Sequence, residues 1–330
     1  MIKVKVTWPP EVWDIAKYSP NGDCIWGDYE FCLNKEIDDP DYWIVCGNTI
    51  KEIDISHVSK MNTIFITSES ADIVVYPEDF LKQFGYISSF RDDLKHPNFI
   101  RAVPVLPWFI NRTYEEQKLI NTIPKKKKLS LLASDKKISI NHIDRLNFVK
   151  KIKKHFGSEI DIFGAGYTEH IKDKIPTHDP YQYTLVLETI SVPEYFSEKL
   201  ADSYLSLCYP IYYGCSNLNE YFDKKSYSII DIHNVELSIK VIKNILDDDN
   251  FYDERLKYLV EAKNKYLQDY SLFSVLAKIL NEVEKRNMNL PNMPKENVVI
   301  NKFIPKKDLQ YMLKRGNLIL YDKFSTIINR

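Results

Sequence analysis

Residues Tyr181 to Gly214 read YQYTLVLETISVPEYFSEKLADSYLSLCYPIYYG. Thr184-Leu185-Val186-Leu187 is a β-prone apolar run, and Glu188 sits at its carboxyl end. A loop follows, then a helix opening on Ser197-Glu198-Lys199, then a short strand from Ile211 to Tyr213 closed by Gly214. Strand, loop, helix, strand is one βαβ unit, whose two strands pair in parallel. Lys199 falls in the first turn of the helix, where unpaired N–H groups and the positive dipole end disfavour a cation. An anion at that helix start would offset the conflict, and a diphosphate has the matching charge and acceptor oxygens.

The rest of the chain extends this pattern. Met1 to Val6 alternates as a strand; Tyr42 to Cys46, Thr63 to Thr67, Ile73 to Tyr76 and Ala102 to Val105 are short β-branched and aromatic runs. Leu129 to Ser134, Ile160 to Gly164 and Tyr227 to Ile230 are further strands, with helices predicted over Asn141 to Phe156, Val235 to Leu246 and Tyr252 to Asp269. Alternation of strand and helix predicts doubly wound parallel sheets. With 330 residues the chain exceeds the roughly 250 to 300 at which single cores stop growing. Apolar content collapses at NTIPKKKK, residues 121 to 128. That places the junction between a first domain, 1–124, and a second, 125–290, followed by a basic segment, 291–330.

The 45 basic and 46 acidic residues give a formal net charge of −1, which removes any global bias toward nucleic acid or a membrane surface. Five cysteines, Cys24, Cys32, Cys46, Cys208 and Cys215, have no zinc-type spacing. Their odd number, with two inside core elements, predicts free thiols and a reducing cytoplasm. No apolar run reaches the roughly 18 residues of a membrane span, so neither a signal peptide nor an anchor is expected.

The stretch quoted above resembles the donor-binding signature of glycosyltransferase family 10, the α-1,3/1,4-fucosyltransferases, in a bacterial type. The matching residues are Leu187-Glu188-Thr189, then Tyr195-Phe196-Ser197-Glu198-Lys199, then Pro210-Ile211-Tyr212-Tyr213-Gly214. The departure is Thr189, where the family has asparagine near the donor sugar. The resemblance implies a GT-B fold, two doubly wound Rossmann-like domains facing a cleft, with the nucleotide sugar in the second and the acceptor in the first. It implies inverting transfer of fucose from GDP-fucose to a bacterial surface glycan, such as lipopolysaccharide O-antigen or capsule, with neither metal nor other cofactor.

Such a reaction needs a base for the acceptor hydroxyl and cations for the departing diphosphate. Lys199 and Arg145 are the candidate cations. Arg145 lies in a segment, Ile143 to Phe148, that resembles the family's arginine-containing helix, and its planar fork can bind two phosphate oxygens. By the same resemblance Glu198 accepts from the ribose hydroxyls, and Glu188, Thr189, Tyr195 and Phe196 complete the donor site. Glu69, in Phe65-Ile66-Thr67-Ser68-Glu69-Ser70, resembles the family's proposed general base, with Glu78 and Asp79 as competing carboxylates. By the same resemblance Trp8, at the place of an early family tryptophan, and Trp108, with the Arg-x-x-Pro-type segment Arg101 to Pro104, are the candidate acceptor-binding residues. Asp39-Pro40-Asp41 mimics a metal-binding Asp-x-Asp pattern, but proline between aspartates before a strand is turn chemistry. Between Asn301 and Arg330, seven basic residues interleave with apolar ones. This reads as a segment packed on the body or, as the alternative, one touching anionic lipid on the inner membrane face. A different nucleotide sugar, suggested by Thr189, and a catalytically silent sugar-nucleotide or glycan-binding relative remain alternative readings.

Overall fold

The computed structural model describes residues 1–9, 14–67, 69–164, 166–168, 171, 173–288, 290, 291, 293–303, 317, 318, 321 and 322. The chain forms two compact units: 1–107, 113–116 and 267–306 make the first, and 108–112, 117–266 and 307–330 the second.

The strands of the first unit are β1 (Ile2–Thr7), β2 (Ile25–Trp26), β3 (Tyr29–Leu33), β4 (Tyr42–Cys46), β5 (Ile53–Val58), β6 (Thr63–Ile66), β7 (Tyr86–Ser89) and β8 (Phe99–Arg101). Seven of them form one sheet in the order β2-β3-β1-β4-β6-β7-β8, parallel throughout except for the β2-β3 hairpin. The central strands β4, YWIVC, and β6, TIFI, are buried along their whole length. This is why they read as continuous apolar runs rather than alternating ones. Helix α1 (Glu78–Leu81) sends Phe80 and Leu81 into a core with Trp43, Phe65 and Phe84.

The second unit carries β9 (Lys127–Leu132), β10 (Ile160–Phe163), β11 (Tyr181–Leu187), β12 (Tyr209–Tyr213) and β13 (Ser228–Ile229). They pair in parallel in the order β10-β9-β11-β12-β13. Helix α2 (Tyr114–Leu119) bridges the two units in sequence; α3 (Ile140–Phe156), α4 (Ile175–His178), α5 (Glu198–Leu205), α6 (Val235–Leu246) and α7 (Phe251–Lys265) belong to the second. The winding reverses between β9 and β11. In a doubly wound sheet the crevice outside the strand ends at that reversal is where ligands bind. Gly164 makes a close approach there: at φ 103°, a Cβ on it would stand 2.1 Å from the Ala133 carbonyl oxygen.

Helix α8 (Leu272–Asn287) and strand β14 (Glu296–Asn301) return to the first unit. The Tyr29 and Tyr86 hydroxyls donate to Asn281 and Asn287 of α8 at 2.7 Å each. Strand β14 pairs antiparallel with β5 and turns Val298 and Ile300 into the first unit's core. The expected division at 124 therefore differs from the observed one. The chain changes units near 107 and 117, and residues 267 to 290, expected in the second domain, pack with the first.

Two expected strands are absent. Residues 71–73 form a turn, with the Ile73 and Val74 N–H groups donating to the Ser70 carbonyl, and 74–76 follow in irregular backbone, as do 102–105, a stretch past β8 that includes Pro104 and leads to Pro107. The tetralysine run is not a linker: Lys127 and Lys128 begin β9, and Lys125 Nζ donates to the carbonyls of Asp179 at 3.0 Å and Ser206 at 2.7 Å. Asp39 and Asp41 both pair with Lys295, at 3.0 and 3.6 Å, so this acidic pair is engaged by a side-chain cation. Most of the basic C-terminal segment, including Lys306, Lys307, Lys314, Arg315, Lys323 and Arg330, lies outside the described residues. Among the described residues no helix is long and apolar enough to cross a membrane.

Candidate active site

Helix α5 starts just beyond the carboxyl end of β11, and Glu188 connects the two. Its backbone N–H donates to the Tyr213 carbonyl at 2.8 Å, which continues the β11-β12 pairing by one residue. Its carboxylate is fully buried and turns toward the helix start. The Ser197 N–H and hydroxyl donate to one oxygen at 2.8 and 2.7 Å, and the hydroxyl also reaches the other at 2.8 Å. Ser197 is the N-cap, accepting from the Lys199 N–H at 3.3 Å. Gly214 is required opposite this carboxylate, since a Cβ there would lie 2.5 Å from Glu188 Cγ and 2.3 Å from the Tyr212 hydroxyl.

Lys199 Nζ sits between two carboxylates, at 3.2 Å from Glu188 and 3.3 Å from Glu198, with Ser197 Oγ at 3.0 Å. The clash between this cation and the helix dipole is thus offset within the chain itself. Burial alone would lower the Lys199 pKa, but Glu188 and then Glu198 push it above the usual lysine range. Burial acts the other way on Glu198; Lys199 and then Lys174 hold that carboxyl down at about 2. A carboxyl lowered in this way contributes its stabilisation fully above the ordinary glutamate range and loses it only as pH falls toward about 2. Lys199 is 29% exposed and Glu198 21%. Both can meet a ligand, whereas Glu188 orients them from beneath.

Arg145, on α3, is buried. Its Nη2 donates to Ser134 Oγ, just past β9, at 3.1 Å, while Nε has no partner among the described residues. Burial lowers its pKa, opposed by Glu188, Tyr195 and Glu198, which places the guanidinium within electrostatic reach of the α5 cluster. An N–H left without a partner in a buried site costs free energy unless a ligand or water meets it. Tyr195 is half-buried; burial, then Glu188, raises its pKa. Phe196 is buried edge-on against Tyr221 and Phe222, at 5.3 and 5.6 Å between ring centroids. Of the seven residues expected to form the donor site, all lie in this cluster or its support. Phe196 and Glu188 build the wall from behind rather than line it.

Sequence reasoning missed Asp202, one turn beyond Glu198 on α5. Its buried carboxylate accepts from the Phe109 and Ile110 N–H groups at 2.6 and 3.1 Å and from Lys174 Nζ at 2.6 Å. It thereby fixes residues 109–110 and Lys174 to the helix. Its burial raises the carboxyl pKa, and Lys174 opposes the shift. The available signal was an acidic residue one helical turn from Glu198, within an otherwise apolar and buried stretch of α5.

In the first unit, Glu69 lies exposed beyond the carboxyl end of β6. Trp8 follows β1; it is buried, and its indole N–H has no partner among the described residues. Trp108 departs from expectation. It belongs to the second unit, is fully buried, donates its indole N–H to the Arg112 carbonyl at 3.0 Å and packs on Tyr266. A ring enclosed in this way is core and offers no face to an acceptor sugar. Glu78 and Asp79 are exposed and flank Lys82 on α1, at 3.9 and 3.8 Å.

The sequence model described as "Glycosyltransferase family 10 (fucosyltransferase) C-term" matches residues 123–289. That is half of the chain and covers all seven residues expected to form the donor site. A protein of Acanthamoeba polyphaga mimivirus named "Putative fucosyltransferase" is 27% identical over 189 residues, 56% of this chain. The match spans 28% of the viral protein, so the chain corresponds to under a third of that relative's length. Among solved structures, an α1,3-fucosyltransferase with GDP-fucose aligns at a TM-score of 0.54 and 19% identity, covering 88% of this chain and 93% of that one. The same kind of enzyme with GDP aligns at 0.52 and 19%, covering 82% and 92%. At these identities the likeness establishes the fold, which is GT-B. With the fold and the family model in agreement, the chain belongs to glycosyltransferase family 10, the fucosyltransferase family.

Proposed function

We propose that this enzyme transfers fucose, with inversion, from GDP-fucose to a hydroxyl of a bacterial surface glycan, such as an O-antigen or capsule, without a metal ion. The observation that carries the reading is Lys199 held between Glu188 and Glu198 at the start of α5, with the under-bonded Arg145 guanidinium within electrostatic reach. The known structure with GDP-fucose supports the choice of donor.

In this reading Glu69 takes the proton from the acceptor hydroxyl, and the oxygen attacks the anomeric carbon from the face opposite the diphosphate. The bond from that carbon to the phosphate oxygen breaks, and its electron pair leaves with GDP. Charge then grows on the diphosphate. Lys199 and Arg145, pre-oriented in a largely buried site, stabilise it without reorganisation. Glu198, an ionised acceptor, suits the ribose diol. Two fixed cations do the work a divalent ion would otherwise do, which is the support for metal independence. Buried Cys46, Cys208 and Cys215 support a reducing cytoplasm. Contact of the basic segment 291–330 with the inner membrane face belongs to the same proposal.

The test is transfer from GDP-fucose to lipopolysaccharide-derived oligosaccharides in excess chelator, with the product anomer read by NMR. Full activity in chelator and an anomer opposite to the donor's are expected. Activity that stops with chelator and returns with manganese or magnesium would contradict the assignment of leaving-group stabilisation to Lys199 and Arg145.

A further inference from the structure

Arg91 is a buried guanidinium in the first unit, and the reaction scheme above gives it no part. Its Nε and Nη2 donate to the two oxygens of Asp93 at 2.8 and 2.6 Å. Nη1 donates to two backbone carbonyls, Glu69 at 3.2 Å and Val74 at 2.8 Å. Those carbonyls stand at the two ends of the turn 69–74, whose middle is closed by Ile73 and Val74 N–H groups donating to the Ser70 carbonyl. Tyr76 lies beneath the guanidinium, 5.3 Å from its ring centroid. The backbone of Arg91 completes the frame. Its N–H donates to Ser89 Oγ at 3.0 Å, and Ser89 Oγ shares a 2.6 Å hydrogen bond with Thr67 Oγ1, two residues before Glu69.

We infer that Arg91 is the positioning residue for Glu69. A chain of hydrogen bonds, Thr67 to Ser89 to Arg91 to the Glu69 carbonyl, ties the end of β6 and the backbone of the glutamate itself to one guanidinium. Enclosing a charge is costly unless it is paired and fully bonded. Here every bond of the guanidinium goes to the turn or to the carboxylate that orients it. Only a planar fork can serve Asp93 and two carbonyls at once, so lysine cannot replace it. The inference rests on Glu69 being the base, because a base must be held within hydrogen-bond reach of the proton it removes.

The test is a set of variants, Arg91→Lys, Glu69→Gln and the two combined, assayed for GDP release from GDP-fucose with lipopolysaccharide-derived oligosaccharide as acceptor. Arg91→Lys should lower kcat by about 100-fold, the cost typical of a small misplacement of a catalytic group. GDP affinity should stay unchanged, and the change should add almost nothing in the Glu69→Gln background. An equal loss in both backgrounds, or no loss in either, overturns the role of Arg91. Parental activity in Glu69→Gln alone overturns the base assignment instead. Should Arg91→Lys fail to fold, Asp93→Asn at its half-exposed site loosens the fork without emptying the core, and the same cycle with Glu69→Gln decides the question.

Discussion

Lys199→Ala is expected to weaken GDP binding by about 2 to 5 kcal/mol, the cost of truncating one member of a buried, hydrogen-bonded charge pair, or roughly 30- to 4,000-fold in Kd. Two effects add. The diphosphate loses its point charge, and the fully buried Glu188 carboxylate loses its cation while keeping only Ser197. Lys199→Arg restores charge with a different shape and should recover part of the loss. Calorimetry with GDP, alongside thermal unfolding of each variant, separates a lost ligand contact from a lost fold. Unchanged GDP affinity in Lys199→Ala would remove this residue from the donor site.

Glu69→Gln should reduce transfer by about 100- to 10,000-fold, the range for losing a general base. Glutamine keeps the size and much of the hydrogen bonding of the glutamate but cannot take the proton. Donor affinity should hold, because Lys199 and Arg145, the proposed diphosphate cations, belong to the second unit. Parental transfer rates would shift attention to Glu78 or Asp79. Lost GDP affinity would mean that this turn serves the nucleotide and not the acceptor.

The cluster at the start of α5 was legible because most of its residues are close in sequence. A parallel βαβ unit brings the end of one strand to the start of the next helix, so Glu188 and Lys199 had to meet near the sheet edge whatever the rest of the chain did. Arg145 followed from the strand-helix pair before it. What the sequence concealed lies in long-range pairing. Strand β14 joins β5 across more than two hundred residues, and α8 bonds Tyr29 and Tyr86 from beyond the second unit. No local pattern distinguishes a helix that stays with its neighbours from one that crosses back. Trp108 was misassigned for the same reason: the apolar run around it reads alike on either side of a unit boundary. Residues 73–76 have the composition of a strand, yet hydrogen bonds to Ser70 and from Arg91 tie Ile73 and Val74 to a turn. Asp202 was visible as an acid in an otherwise apolar stretch of α5, but its partners, the Phe109 and Ile110 N–H groups and Lys174, are distant in sequence.

Thr189, buried beside Tyr195, leaves the donor sugar as the point on which the account depends most. Calorimetric titration of the 330-residue chain with GDP-fucose, GDP-mannose, GDP and a uridine diphosphate sugar addresses it directly. The account predicts one GDP-fucose site per chain, competed by GDP, with GDP-mannose weaker and the uridine nucleotide silent. Preferential binding of the uridine sugar, or no binding of any guanosine nucleotide, would contradict it.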